Sequence, residues 1–393
     1  MSGLAPLIGH AGARRTLALA WVNRTLPPTL LFHGPSGIGK QRFALWLAQL
    51  ILCEAPSMNG PCGACRACTF SLRLAHPDLH WFFPLPRPKT ASGDRLGDAL
   101  EDARAAELAA RRADPWYASA NTELTGIYLA HAQVIRRMAV NRPAMSARKV
   151  FVIGDAEMLV SQEASPEAAN ALLKLLEEPP PDTTLLITSS EPDALLPTIR
   201  SRLSGFRLQP LGLDDVTGVL RSVRGLSPER AALIARLAEG AIGVALAFVA
   251  PDGEPGPYEE ARTRAWAWLE AACSGGSTAR YEAGLTQSPA GARAGFSVTL
   301  RFFILWLRDL AAVANGADDL VLNTDAIGRL RELARAMPSA PAGSAAAIQD
   351  AEAALQLTQW NVNPQLALAS LLRAVAARLA GAPPGLAATA TLV

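Results

Sequence analysis

The sequence predicts an α/β module built on a parallel sheet, followed by an all-helical region. Three observations lead there. Up to about Pro210, the short apolar runs 29–33, 149–154 and 184–189 are each bounded by turn or polar residues, and each is followed by a segment of helical period. That alternation places helices on the faces of a parallel sheet. From Leu211 onward the period is helical throughout, and 393 residues favour two or three domains over one.

The elements follow in chain order. Thr29–His33 is a strand, a glycine-rich turn follows, and 41–52 is a helix. Residues 84–125 interrupt the pattern with Pro84, Pro86 and Pro88 and then an Ala/Arg/Asp/Glu-rich segment, read as an insertion holding one solvated helix. After the strands 149–154 and 184–189, helices are expected at 213–223, at 227–238 with Ser227 as N-cap and Pro228 in first position, and at 243–249. The Pro/Gly-rich stretch 251–258 is a hinge. Beyond it, apolar stripes mark helices over 262–272, 297–313, 344–357 and 364–379, before a frayed tail. Trp266, Trp268 and the 302–306 aromatics are read as core, as is Cys273.

Composition excludes several classes. Half the residues are hydrophobic and 18% are charged, ample for a packed core. The net charge of +2 excludes a protein that coats nucleic acid by bulk charge. Only Lys40, Lys89, Lys149 and Lys174 are lysines among the basic residues. No run is long enough for a membrane span, and the N-terminus lacks a secretory apolar stretch; five cysteines, four of them between Cys53 and Cys68, suit a reducing cytoplasm.

Gly34-Pro35-Ser36-Gly37-Ile38-Gly39-Lys40 between strand and helix has the context of a phosphate loop. Glycines let backbone N–H groups turn onto an anion, and the helix N-terminus adds partial positive charge. Lys40 would reach the outer phosphates. The next residue should carry a hydroxyl for magnesium, and here it is Gln41. The second strand should end in paired carboxylates, one for the metal and one for the attacking water. It runs instead Gly154-Asp155-Ala156-Glu157, so in either register one carboxylate is missing and Asp155 is what remains. Hydrolysis is therefore expected to be absent, and nucleotide binding is left open.

Cys53, Cys62, Cys65 and Cys68 have the spacing C-x8-C-x2-C-x2-C. Four thiolates with no open position describe structural zinc rather than catalysis, with a redox pair or iron–sulfur site as the rival. His76 and His80 are read as structural. Arg136, Arg137, Arg142 and Arg148 form a basic cluster, read as a solvated face or a DNA-backbone track.

Residues 170–180, NALLKLLEEPP, the 197–202 run PTIRSR and the loop HGPSGIGK together resemble the AAA+ clamp-loader subunits of bacterial DNA polymerase III. The 360–368 run WNVNPQLAL is similar to the last collar helix of that family. The resemblance implies a RecA-like AAA+ core over 1–210 carrying the zinc module at 53–68, a helical lid over 211–250 and a helical collar over 258–393. The family's motor subunits keep the loop hydroxyl, an Asp-Glu pair and a lid arginine. This chain departs at each, since 240–246 holds no arginine, and so it resembles the non-hydrolysing delta-prime branch. Ser201-Arg202-Leu203 stands where the family has Ser-Arg-Cys. The resemblance implies that Arg202 acts in trans on a neighbour's ATP. It further implies gamma/tau and delta subunits, the sliding clamp and primed DNA as partners, within a nucleotidyltransferase holoenzyme. Arg200, two residues away in a segment read as extended, competes on spacing alone. Two other readings stay open: an active gamma/tau-type ATPase using Asp155, and a zinc-dependent nucleic-acid-binding module on a dead nucleotide fold.

Overall fold

The computed structural model describes residues 3–88, 95–117, 125–159, 167–287, 293–358 and 362–381. Lys89 lies outside them, as do Trp360 and Asn361 of the collar-like run. By internal contacts the chain divides into two compact units, Met1–Val216 with Glu239–Val244, and Thr217–Ala238 with Ala245–Val393.

The strands of the first unit are β1 (Thr29–His33), β2 (Leu79–Phe82), β3 (Leu85–Pro86), β4 (Thr125–Gly126), β5 (Lys149–Ile153), β6 (Thr183–Ser189) and β7 (Ser204–Arg207). Five of them form one parallel sheet in the order β2-β5-β6-β1-β7. Its helices are α1 (Ala11–Val22), α2 (Lys40–Leu52), α3 (Arg66–Leu72), α4 (Arg95–Ala113), α5 (Leu129–Ala139), α6 (Glu167–Glu177) and the single turn α7 (Pro197–Arg200).

Alternation along the strands sorts the side chains onto two faces. Leu30, Phe32, Val150, Val152 and Leu186 join a cluster with Phe43, Leu47 and Leu50 of α2. Leu31, Phe151, Ile153, Leu185 and Ile187 join a second cluster with Ile135 of α5 and Leu172 and Leu176 of α6. Because the strands run parallel, the C-terminal ends of β1, β5 and β6 lie along one edge, where an open α/β sheet places its ligand crevice.

Three features differ from the sequence reading. β2 and β7 flank the sheet at its two edges and were not among the expected runs. β7 is only lightly buried, so no apolar run marks it. The helix of the 84–125 excursion is not merely solvated: Leu100 is fully buried, and the Arg104 and Arg111 guanidiniums lie over Phe82 and over Trp81 and Phe83. The base of the excursion is closed by β3 pairing antiparallel with β4. The 197–203 segment is not extended. Pro197 opens a helical turn, and Arg200 and Arg202 therefore find different partners.

The second unit is helical: α8 (Leu213–Arg224), which straddles the division, α9 (Pro228–Leu237), α10 (Ile242–Leu246), which begins on the first unit's side, then α11 (Pro257–Cys273), α12 (Ser277–Leu285), α13 (Arg293–Ala314), α14 (Ile327–Ala336), α15 (Ala340–Leu357) and α16 (Pro364–Leu379). Ser227 caps α9 by accepting from the Arg230 N–H. Trp266 stacks edge-on against Trp306 at 4.7 Å, and both are buried, as the sequence suggested; Cys273 is buried too. Buried Asp309 accepts three hydrogen bonds, from the backbone N–H groups of Leu322 and Asn323 and the Asn323 side chain, and so ties the 318–326 loop to α13.

Candidate functional site

β1 ends at His33 and the chain turns through Gly34, Gly37 and Gly39, all at positive φ (149°, 79° and 95°), before α2 starts at Lys40. Glycine is required at Gly34 for a second reason: a Cβ there would lie 2.4 Å from the Leu208 carbonyl oxygen.

The loop's polar groups are engaged within the chain. The buried Lys40 ammonium donates to the Gly34 carbonyl (3.0 Å), the Pro35 carbonyl (2.8 Å) and Ser190 Oγ (2.8 Å). Burial lowers its pKa, against the opposing charges of Asp155 and Glu157. The Gly37 carbonyl accepts from the Gly243 N–H at 2.8 Å, and a Cβ on Gly37 would meet Val244 at 3.0 Å. Gly243 and Val244 thus lay their backbone on the crown of the loop. His10 Nε2 contacts the Ile38 carbonyl at 3.1 Å.

Gln41 extends toward the end of β5. Its Nε2 donates to Asp155 Oδ2 at 2.8 Å, and its Oε1 accepts from the Trp81 indole N–H at 3.0 Å. Gly154 leaves the space this amide fills, for a Cβ there would fall 2.4 Å from Gln41 Oε1. Asp155 sits at φ 49°, its N–H bonded to Thr188 Oγ1. Burial first, then the Glu157 carboxylate, raises its carboxyl to about 6; Lys40, Arg111 and the Gln41 amide oppose. Glu157 Oε1 accepts from the Ser190 N–H, while its Oε2 is buried with no partner among the described residues. Magnesium requires six oxygens at about 2.1 Å. Here an amide N–H occupies Asp155 Oδ2 and the amide oxygen is held by an indole, so the loop side of the site does not fit that ion. Trp81 and Ser190 were not singled out from sequence, although the polar run that ends β6 is a signal that could have found Ser190.

At the other end of α2, Cys53 caps the helix, Cys65 caps α3 and Cys68 lies within α3. The four sulfurs lie within 4.8 Å of one another, with Cys62–Cys68 at 3.9 Å and Cys65–Cys53 at 4.0 Å. A tetrahedral zinc with Zn–S of about 2.3 Å sets its sulfurs about 3.8 Å apart, so the donor set fits. Backbone N–H groups of Cys62, Cys65 and Cys68 point at the sulfurs of Cys53, Cys62 and Cys65. Those from Cys65 and Ala64 lower the Cys62 thiol to about 6, whereas burial raises Cys53 and Cys68. His76 is not in the cluster; it bonds the Asp78 N–H and Ser146 Oγ, and His80 stacks on Phe151.

Arg202 follows α7, its carbonyl accepting from Thr29 Oγ1 at 3.0 Å. Its side chain, about a third exposed (31%), pairs with Glu177 of α6 and donates to the Thr198 carbonyl at 2.6 Å. Arg200 pairs with Asp193 instead. In the basic cluster, Arg136, Arg137 and Arg142 are exposed, while Arg148 lies over the Trp21 ring at 5.7 Å.

The family described as DNA polymerase III, delta subunit matches residues 10–212. A DNA polymerase III subunit delta' of Pseudomonas aeruginosa is 35% identical over 173 residues, 44% of this chain and 40% of that one. A DNA polymerase III subunit delta' of Escherichia coli K12 is 27% identical over 224 residues, 57% of this chain and 54% of that one. A DNA polymerase III subunit gamma/tau of Mycobacterium tuberculosis H37Rv is 27% identical over 53% of this chain and 29% of its own. The chain thus spans about half, or less, of these relatives. A solved gamma-subunit-related protein of Thermotoga maritima aligns over 93% of this chain and 99% of its own, at 13% identity and a TM-score of 0.36; the fold described above rests on the sheet topology instead. Among the described residues, no helix is long and apolar enough to cross a membrane.

Proposed function

Because this chain belongs to the DNA polymerase III delta-subunit family of the bacterial clamp loaders, we propose that it is a delta-prime, or stator, subunit. It would assemble with gamma/tau and delta subunits and help place the sliding clamp on primed DNA. Its own phosphate loop would not hydrolyse ATP. Instead Arg202 would reach the ATP of a neighbouring motor subunit and stabilise the charge spread over the transferring phosphoryl group. The observation that carries this reading is Gln41 lying where a side chain at position 154 would have to stand. A loop so arranged supports a subunit that serves another's reaction. In this reading the second unit supplies a lid and a collar, and the excursion between α2 and β2 is stapled by a zinc ion that Cys53, Cys62, Cys65 and Cys68 would hold. Zinc there supplies cross-linking and no chemistry.

The test is reconstitution with the cognate motor and delta subunits. Arg202→Ala is expected to lower ATP turnover of the assembly by about 10³-fold or more without loss of assembly. Normal turnover in that mutant would remove the arginine assignment. Turnover by the isolated chain that disappears in Lys40→Ala would mark it as a motor subunit instead.

A further inference from the structure

The 84–125 excursion has no part in the reading above, yet it is wired to the phosphate loop. Arg111 of α4 sets its guanidinium 4.6 Å from the Trp81 ring centroid, 4.5 Å from that of Phe83 and 5.8 Å from that of Tyr117. Glu107 fixes it from the preceding turn at 2.9 Å, and the Tyr117 hydroxyl donates to the other Glu107 oxygen at 3.1 Å. Arg104 reinforces the seat, lying over Phe82 at 4.7 Å and donating to the Trp81 carbonyl at 3.4 Å. At the end of α4, Arg112 donates to the Leu74 carbonyl at 2.7 Å. Trp81, so held, has its indole N–H aimed at Gln41 Oε1.

We propose that Gln41 is an internal occupant of the loop's metal side and that the excursion braces it there. Through Arg111 and Trp81 it holds the Gln41 carboxamide where the ligands of a divalent cation would stand. The Gly154 gap and Gln41 are two halves of one device: a side chain at 154 and the amide in this position exclude one another. The charge balance follows the same logic. In a working site a divalent ion offsets the acids at the strand end. Here Lys40 and Arg111 are the cations acting on Asp155, and both are fixed parts of the chain. An arginine seated between aromatic planes and tied to a carboxylate keeps its place with little loss of freedom. The Lys40 ammonium and the Gln41 amide are thereby paired with no divalent cation, and such an ion must displace a side chain already bonded at both ends.

Two measurements on the full chain test this. The first is a double-mutant cycle in thermal unfolding. Gly154→Ala alone is expected to lower the midpoint by roughly 5 °C, and the same change in a Gln41→Ala background by far less. Equal losses in the two backgrounds would overturn the interlock. If Gly154→Ala alone fails to fold, folding of Gln41→Ala/Gly154→Ala supports it, and failure of that double variant too overturns it. The second follows the indole ¹⁵N–H resonance of Trp81, assigned by its loss in Trp81→Phe. It is expected to move in Gln41→Ala and in Arg111→Gln, and to stay in place on addition of millimolar magnesium with ATP. A resonance that magnesium moves, or that Arg111→Gln leaves untouched, would overturn the role of the excursion. Neither measurement depends on Arg202 or on partner subunits, so this inference and the stator reading fail separately.

Discussion

The two ends of α2 present opposite situations. At its C-terminus, four cysteine sulfurs converge at distances a zinc tetrahedron demands, with backbone N–H groups and one another as their polar contacts among the described residues. At its N-terminus, the loop's ammonium and amide already bond to carbonyls, a hydroxyl, a carboxylate and an indole of the same chain. The sequence motif is present at both ends. What separates them is whether the donors face one another across a space of the right size or face partners that already answer them. A motif reports which groups are available, and only their partners report what they can still bind.

The largest effect expected from this contrast lies at the sulfur end. Chelation, or Cys65→Ser, is expected to cost several kcal/mol and to unfold the 53–75 region, seen as a lowered unfolding midpoint with release of about one zinc per chain. A chain that loses no stability to chelator would place the two ends in the same class. Next comes Lys40→Met, which removes three hydrogen bonds of a buried ammonium and one of the two cations acting on Asp155. A loss of about 2–4 kcal/mol in urea unfolding is expected. A neutral result would mean that the loop is not held by its lysine.

A smaller effect depends on pH. The Asp155 carboxyl is raised to about 6 in the folded chain from 3.8, so the folded state holds this proton more tightly than the unfolded one. Its contribution is fully present below pH 3.8 and is lost as pH rises through 6. Part of the residue reaches solvent, so the loss is about 1–2 kcal/mol rather than the full value of the shift. Asp155→Asn should flatten the stability profile across that window, and an unchanged profile would count against the burial assigned to it. The smallest effect is expected at Glu177. Its pair with Arg202 is partly open to solvent on both sides, and Glu177→Ala should change stability by less than about 1 kcal/mol.

The central strands were legible because they are buried on both faces and read as continuous apolar runs. Ser227 and Pro228 marked the start of α9, because capping chemistry is local. β2 and β7 escaped notice. Each is short, and the run Leu79–Phe82 carries His80 in the middle. The charged helix α4 read as solvated because its arginines look like surface residues in one dimension. In three dimensions two of them lie on aromatic rings.

By itself, the sequence determined which chemical groups are present: a loop lysine without its hydroxyl partner, a strand end short of one carboxylate, four thiols in cluster spacing and an arginine in a family motif. Chain order and local propensity suffice for that, since each depends on near neighbours. Only the tertiary structure decided that Gln41, Gly154 and Trp81 form one unit and that α4 stands behind it. Those groups lie up to 113 positions apart (Gln41 to Gly154), and no local preference encodes a contact that exists only once the parallel sheet has brought the ends of its strands together.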